Sequence, residues 1–233
     1  MRTRRAEHPR RVRLGKQRED APRLGRLRVE RKSGSERFRV GKTVLGFDLL
    51  AFWRWSVSDL VSNATRGRLA EYIVAQALGV DTSSPRDEWS AWDLETPEGT
   101  KVEVKSSAFL QVWNQRAYSK VVFSTPKTRA WNPETNRQEP NPRRHADVYV
   151  FALLDHKDKA TVDPMDLSQW RFFVTPTAAL DARTRSQHSI THITLKKLAK
   201  GSARYSGLRK AVREASAEHR RISTKGTGPP KKG

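Results

Sequence analysis

Asp93, Glu103 and Lys105 are spaced so that one short β-hairpin would set all three on a single surface. The chain reads Trp92-Asp93-Leu94-Glu95-Thr96, then Pro97-Glu98-Gly99, then Thr100-Lys101-Val102-Glu103-Val104-Lys105. Pro, any residue, then Gly suits a three-residue loop, a type I turn closed by glycine in the left-handed region. That loop pairs Thr96 with Thr100 and sets Leu94 opposite Val102 and Asp93 opposite Glu103. Leu94, Val102 and Val104 then share one face, and Asp93, Glu103 and Lys105 the other. A two-residue Glu98-Gly99 loop would place Asp93 on the Val104 face and bury a lone charge. Two carboxylates about 5 Å apart at Cβ repel unless a cation lies between them. Oxygen ligands on rigid backbone favour a hard divalent ion, Mg²⁺ with Mn²⁺ as substitute. Such an ion can polarise a phosphoryl oxygen and activate water, and Lys105, about 7 Å further along the strand, could orient that water or stabilise charge at phosphorus. A Glu-x-Lys pair taken alone is more often a solvated face with a weak ion pair.

The elements that must position these groups flank the hairpin. Asn63 to Gly79 reads as a helix with a polar start, apolar residues at helical spacing and a glycine stop. Lys120 to Ser124 and Ala146 to Leu154 read as strands, the second apolar on both faces as a central strand should be. Trp170 to Val174 reads as the last main strand, and Thr175-Pro176-Thr177 as the start of a short helix.

Asp93 followed by Glu103-x-Lys105, with the helix upstream and the strands downstream, resembles the PD-(D/E)XK nuclease superfamily. The resemblance implies an α/β restriction-endonuclease-like core, a mixed central β-sheet flanked by helices. It also implies metal-dependent hydrolysis of nucleic acid, with DNA the substrate of most members. Glu71, one turn after Gly67 on the helix, matches a glutamate that joins the metal site in many of them. The implied metal ligands are Asp93, Glu103, the Val104 carbonyl and Glu71, with Lys105 completing the catalytic set. Trp92 stands where the motif name has proline. Gln111 is similar to a glutamine of recombination-type members, but Gln115 stands where those have tyrosine. Ser107 and Gln111 are candidates for substrate contact. So are Arg143 and Arg144, at the end of the long polar Pro126 to Arg144 connection, which could reach over the active face or be a mobile insertion.

Charge separates the chain into three parts. Residues 1–42 carry 16 Lys/Arg against 5 Asp/Glu, residues 43–195 carry 18 against 18, and residues 196–233 carry 12 against 2. The expected organisation is a basic disordered arm over 1–42, a nuclease-like domain over 43–217 and a basic disordered tail over 218–233. The arm is compatible with nucleic-acid binding, a targeting peptide or sequence ahead of the true start. Glu7, Glu19, Asp20 and Glu30 count against a transit peptide, and there is no apolar signal region. The longest apolar run, Val148 to Leu154, is too short to cross a bilayer. Cysteine is absent, which excludes disulfides and thiolate metal sites and is compatible with a cytoplasmic address.

Phe47 to Leu60 reads as an aromatic helical lead-in packed on the core, though exposed tryptophans could stack on bases. Gly41-Lys42-Thr43 lacks the upstream glycine of a phosphate loop, since Glu36 stands there. His188 and His192 have no metal-binding logic in a stretch that reads as a strand. Tyr205 to Arg213 reads as a terminal helix docked through Leu208 and Val212. Two rivals to the enzyme reading stay open: a non-catalytic nucleic-acid-binding protein, and a nuclease-like fold serving protein assembly. The oligomeric state is open, a homodimer included.

Overall fold

The computed structural model describes residues 27–225. A first hairpin pairs β1 (Arg37–Val40) with β2 (Thr43–Asp48) across Gly41, whose φ of 58° needs the conformational freedom of glycine. Asp48 then caps α1 (Leu49–Val57), its side chain accepting from the Ala51 N–H at 2.9 Å. Two expectations are corrected here. Residues 37–42 are hairpin rather than disordered arm, while residues 1–26 of that arm lie outside the described residues. Nor is α1 packed on the core: it buries no residue, and Phe47, Phe52 and Trp55 are all exposed. Its aromatics meet one another instead, Phe52 with Trp55, and Phe38 with Phe47 from the hairpin.

Next comes α2 (Asn63–Leu78), which ends where Gly79 adopts the left-handed conformation and returns its N–H to the Gln76 carbonyl. Ser62, not Asn63, holds the cap position, and Asn63 turns its side chain to Arg66 instead. Ala70, Val74 and Leu78 form its buried stripe at i, i+4, i+8, each Val or Leu contributing about 1.5–3 kcal/mol by burial.

A four-stranded mixed sheet follows. The edge strand β3 (Leu94–Glu95) runs antiparallel to β4 (Lys101–Ala108). Crossing back through β5 (Val122–Ser124) and the small hairpin β6 (Trp131–Asn132) and β7 (Arg137–Gln138), the chain enters β8 (Val148–Leu154), parallel to β4. Antiparallel to it, β9 (Trp170–Pro176) completes the order β3-β4-β8-β9. Every residue of β8 is buried, as its two-sided apolar sequence requires. The chain then forms α3 (Thr177–Asp181), β10 (Ser189–Thr191), which pairs with β5, and α4 (His192–Leu198). The last described element is α5 (Leu208–Lys225), which takes in residues 218–225 of the expected tail, where Glu218, Arg220, Arg221 and Lys225 favour helix.

One face of the sheet packs Val102, Val104, Val150 and Phe172 against α2 and α5. The other packs Tyr149, Phe151, Leu153 and Phe173 against Phe123, Leu180, Ile190 and Leu195. The Pro126 to Arg144 connection has structure of its own, the β6–β7 pair closed by a Thr128–Arg143 bridge. Among the described residues no helix is long and apolar enough to cross a membrane.

Candidate active site

The β3–β4 hairpin has the three-residue loop and the register that its sequence dictates. Thr96 and Thr100 are joined by a 2.9 Å backbone hydrogen bond, the Gly99 N–H reaches the Thr96 carbonyl at 2.8 Å, and Gly99 has φ 79°. Leu94 pairs with Val102 and Glu95 with Lys101. Beyond β3, the Asp93 N–H donates to the Val102 carbonyl at 3.1 Å, and the Asp93 carboxylate accepts from the Val104 N–H at 2.8 Å. Asp93 thus extends the ladder with its own side chain and lies beside Glu103. Residues 102 and 104 turn their backbone polar groups toward the β3 side, so the Val104 carbonyl lies on the flank that carries Asp93.

Glu103 and Lys105 project from the opposite face to Val102 and Val104, and the Lys105 ammonium donates to the Glu103 carboxylate at 2.5 Å. Glu71 arrives from α2. The three carboxylates are largely enclosed, at 15% exposure for the Glu71 side chain, 14% for Asp93 and 18% for Glu103. Burial, followed by the charge of Asp93, pushes the Glu103 carboxyl above its ordinary value; burial also raises Glu71, with Asp93 again adding to the shift. Burial works against the Lys105 charge, but Glu103, Asp93 and Glu71 outweigh it and hold the ammonium above its ordinary range. Tyr149, opposite Glu103 on β8, has a phenol pushed up first by burial and then by Glu103.

Arg86 is the group the sequence did not single out. It sits in the loop between α2 and β3, where its guanidinium grips Glu71 through two nitrogens and reaches Asp93 at 3.5 Å. A lone arginine in a polar loop carries no pattern, so nothing local marks it. The site therefore gathers three carboxylates around two cations.

Among the hydrogen bonds and ion pairs of the described residues, none joins Gln111, Arg143 or Arg144 to Glu71, Asp93, Glu103 or Lys105. Ser107 stays on the Glu103 and Lys105 face of β4, two residues further on. Gln111 is buried, its N–H donating to the Gln115 side chain at 2.7 Å, and Gln115 in turn ties the Phe109 carbonyl and Ser119. The pair organises a loop. Arg143 is exposed and paired with Glu139 on the same connection. Arg144 is corrected outright, because its fully enclosed guanidinium donates to the Thr125 and Gln187 carbonyls and pairs with Asp181, which makes it a structural staple rather than a phosphate contact.

Glu71, Asp93, Glu103 and the Val104 carbonyl are an all-oxygen set, which suits a hard divalent cation in kind. Burial first and the charge of Asp93 after it raise the Glu71 and Glu103 carboxyls, and such an ion would offset both costs. Among the described residues no three acidic or histidine side chains already close around a metal-sized space, and Arg86 and Lys105 pair with the carboxylates.

Comparison with curated proteins finds no match. A protein-family model described as bacteriophage T4 endonuclease IV matches residues 52–190. The matched span starts within α1, ends in β10 and takes in Glu71, Arg86, Asp93, Glu103 and Lys105. Because it covers more than half of the 233 residues, the chain belongs to the bacteriophage T4 endonuclease IV family.

Proposed function

We propose that the chain is a divalent-metal-dependent endonuclease that hydrolyses phosphodiester bonds of DNA, on a core of the restriction-endonuclease-like, PD-(D/E)XK type. The observation that carries this reading is the hairpin register, which sets Asp93 beside Glu103 with Lys105 next on the same face, inside a span matched to an endonuclease family.

In this reading Asp93, Glu103 and the Val104 carbonyl hold the metal from the hairpin, and Glu71 completes the set from α2. When bound, Mg²⁺ or Mn²⁺ supplies Lewis acidity, offsetting charge on the phosphate and easing loss of a proton from water. Lys105 stays protonated because three carboxylates surround it. It orients the attacking water and offsets negative charge as water adds to phosphorus and a P–O bond breaks. The Val104 N–H fixes one oxygen of Asp93, and Tyr149 lies against Glu103, so both carboxylates are held by buried structure rather than by mobile loop. The excess of cations at the two ends of the chain attracts the DNA backbone without reading its sequence. A cytoplasmic address belongs to the same reading.

The test incubates purified full chain with covalently closed circular DNA in Mg²⁺ and in EDTA. Nicked or linear product in Mg²⁺ and none in EDTA is the expected result. Intact circles in both conditions, with binding preserved, would instead leave a non-catalytic DNA-binding protein whose hairpin charges form a salt-bridge network.

A further inference from the structure

The cation that meets Glu71 and Asp93 in this structure is Arg86, and its placement is unlike that of a stabilising buried ion pair. Its side chain is 39% exposed, whereas the carboxylates it holds are 15% and 14% exposed. The cation is thus more open to solvent than the two carboxylates it pairs with. Its loop is fastened to the rest of the molecule by surface contacts: Arg68 with Glu88 at 3.0 Å, and Trp89 against Trp131 of β6 with ring centroids 5.1 Å apart. Both tryptophans lie outside the two core clusters. Such ties can rearrange without opening the core.

Charge gives the second argument. Glu71, Asp93 and Glu103 against Arg86 and Lys105 leave one negative charge in excess, Glu88 at 4.0 Å from Arg86 adds to it, and a divalent ion in place of Arg86 would bring one more positive charge to the same carboxylates. Exchange of one for the other is favoured electrostatically, and the displaced guanidinium would stay within a few ångströms on its tether. A planar fork of donors released there matches the two free oxygens of a phosphodiester drawn to the same ion.

We propose, resting on the metal-dependent nuclease reading, that Arg86 is a displaceable cation: it occupies Glu71 and Asp93 in the unloaded protein, yields them to the divalent ion, and then binds a backbone phosphate of the DNA substrate. Arg86 thus competes with the metal in the absence of DNA and contributes to substrate affinity once the metal is in place. Metal and DNA then bind cooperatively, since each relieves a cost of the other.

The test titrates Mn²⁺ into the parent protein and into Arg86→Ala and Arg86→Gln by calorimetry, the second variant keeping side-chain length in the loop. If Arg86 holds the site closed nine-tenths of the time, both variants bind Mn²⁺ about tenfold more tightly than the parent. The salt dependence of duplex binding is then measured in EDTA and in Ca²⁺. Going from EDTA to Ca²⁺, the parent's slope of log affinity against log salt should steepen by about one unit more than that of either variant, the signature of one additional phosphate contact. A merely structural Arg86 would not change with the metal. Mn²⁺ affinities equal to or weaker than the parent's in both variants would overturn the role of Arg86 and leave the nuclease reading standing. No Mn²⁺ binding by any of the three proteins would overturn both.

Discussion

Replacing Arg144 with alanine removes the most heavily bonded side chain outside the candidate site, and its effect separates a structural arginine from a phosphate-binding one. The guanidinium is fully enclosed and donates to the Thr125 carbonyl at 3.2 and 2.8 Å, to the Gln187 carbonyl at 2.6 Å and to the Gln187 side chain at 3.1 Å, besides its pairing with Asp181. Thr125 is itself buried, so its carbonyl has no water to turn to once Arg144 is gone. Loss of one partner of an enclosed ion pair costs about 3–5 kcal/mol, a range that already includes part of the penalty for the orphaned carbonyls. Asp181 is 42% exposed and can rehydrate, which places the expected loss near the lower end, about 3 kcal/mol. For a chain of this size each kcal/mol shifts Tm by roughly 2–4 °C, so Arg144→Ala should melt about 6–12 °C below the parent in a circular-dichroism scan. Arg144→Lys should recover less than half of that, because an ammonium cannot reach three acceptors as a fork. An unchanged Tm together with weaker DNA binding would return Arg144 to the binding surface.

Two predictions concern pH. Glu98, in the hairpin loop, is held at about 2 by the Arg213 guanidinium at 2.6 Å together with backbone hydrogen bonding. Its folded value is depressed, so the stabilisation is present above the ordinary 4.5 and is lost as pH falls toward about 2; amide exchange should show α5 loosening from the hairpin over that window, and Glu98→Gln should abolish the pH dependence. Glu71 and Glu103 behave in the opposite sense. Burial raises both, so the folded state holds their protons more tightly than the unfolded chain, and their contribution falls as pH rises from 4.5 through the raised values. In EDTA the Tm of Glu71→Gln should therefore decline less than the parent's between pH 4.5 and 7, and an identical decline would place Glu71 outside the cluster.

What the sequence disclosed was local and periodic. The loop Pro97-Glu98-Gly99 and the strict alternation around it dictate one register, and any slip would have buried Asp93. The Ala70, Val74 and Leu78 stripe and the unbroken apolar run of β8 are equally self-declaring. Opaque were the features made by distant pairings. Arg144 stands beside Arg143 in a polar connection, and only Asp181, 37 residues later, and the fold around Thr125 reveal that one is enclosed and the other exposed. Arg86 joins the candidate site through partners 15 and 7 residues away, with no periodicity to announce it. The hairpin strand Arg37–Val40 alternates cations with apolar residues and reads as a charged arm until Thr43–Asp48 pairs with it. Aromatic content alone misassigned α1 to the core, since its rings meet one another on an exposed surface.

Cleavage of phosphodiester bonds by the Asp93, Glu103 and Lys105 face with a divalent ion is read out by the single-turnover cleavage rate of Glu103→Gln at saturating Mg²⁺. The amide keeps the shape of the side chain and can still accept a hydrogen bond from Lys105, so the fold survives while the ligand charge is lost. Removal of one preorganised electrostatic contact to a transition state costs on the order of 10²–10³ in rate. A loss of that size in a protein that melts no lower than the parent and keeps its DNA affinity is expected, and a rate within about twofold of the parent would show that Glu103 does not act in cleavage.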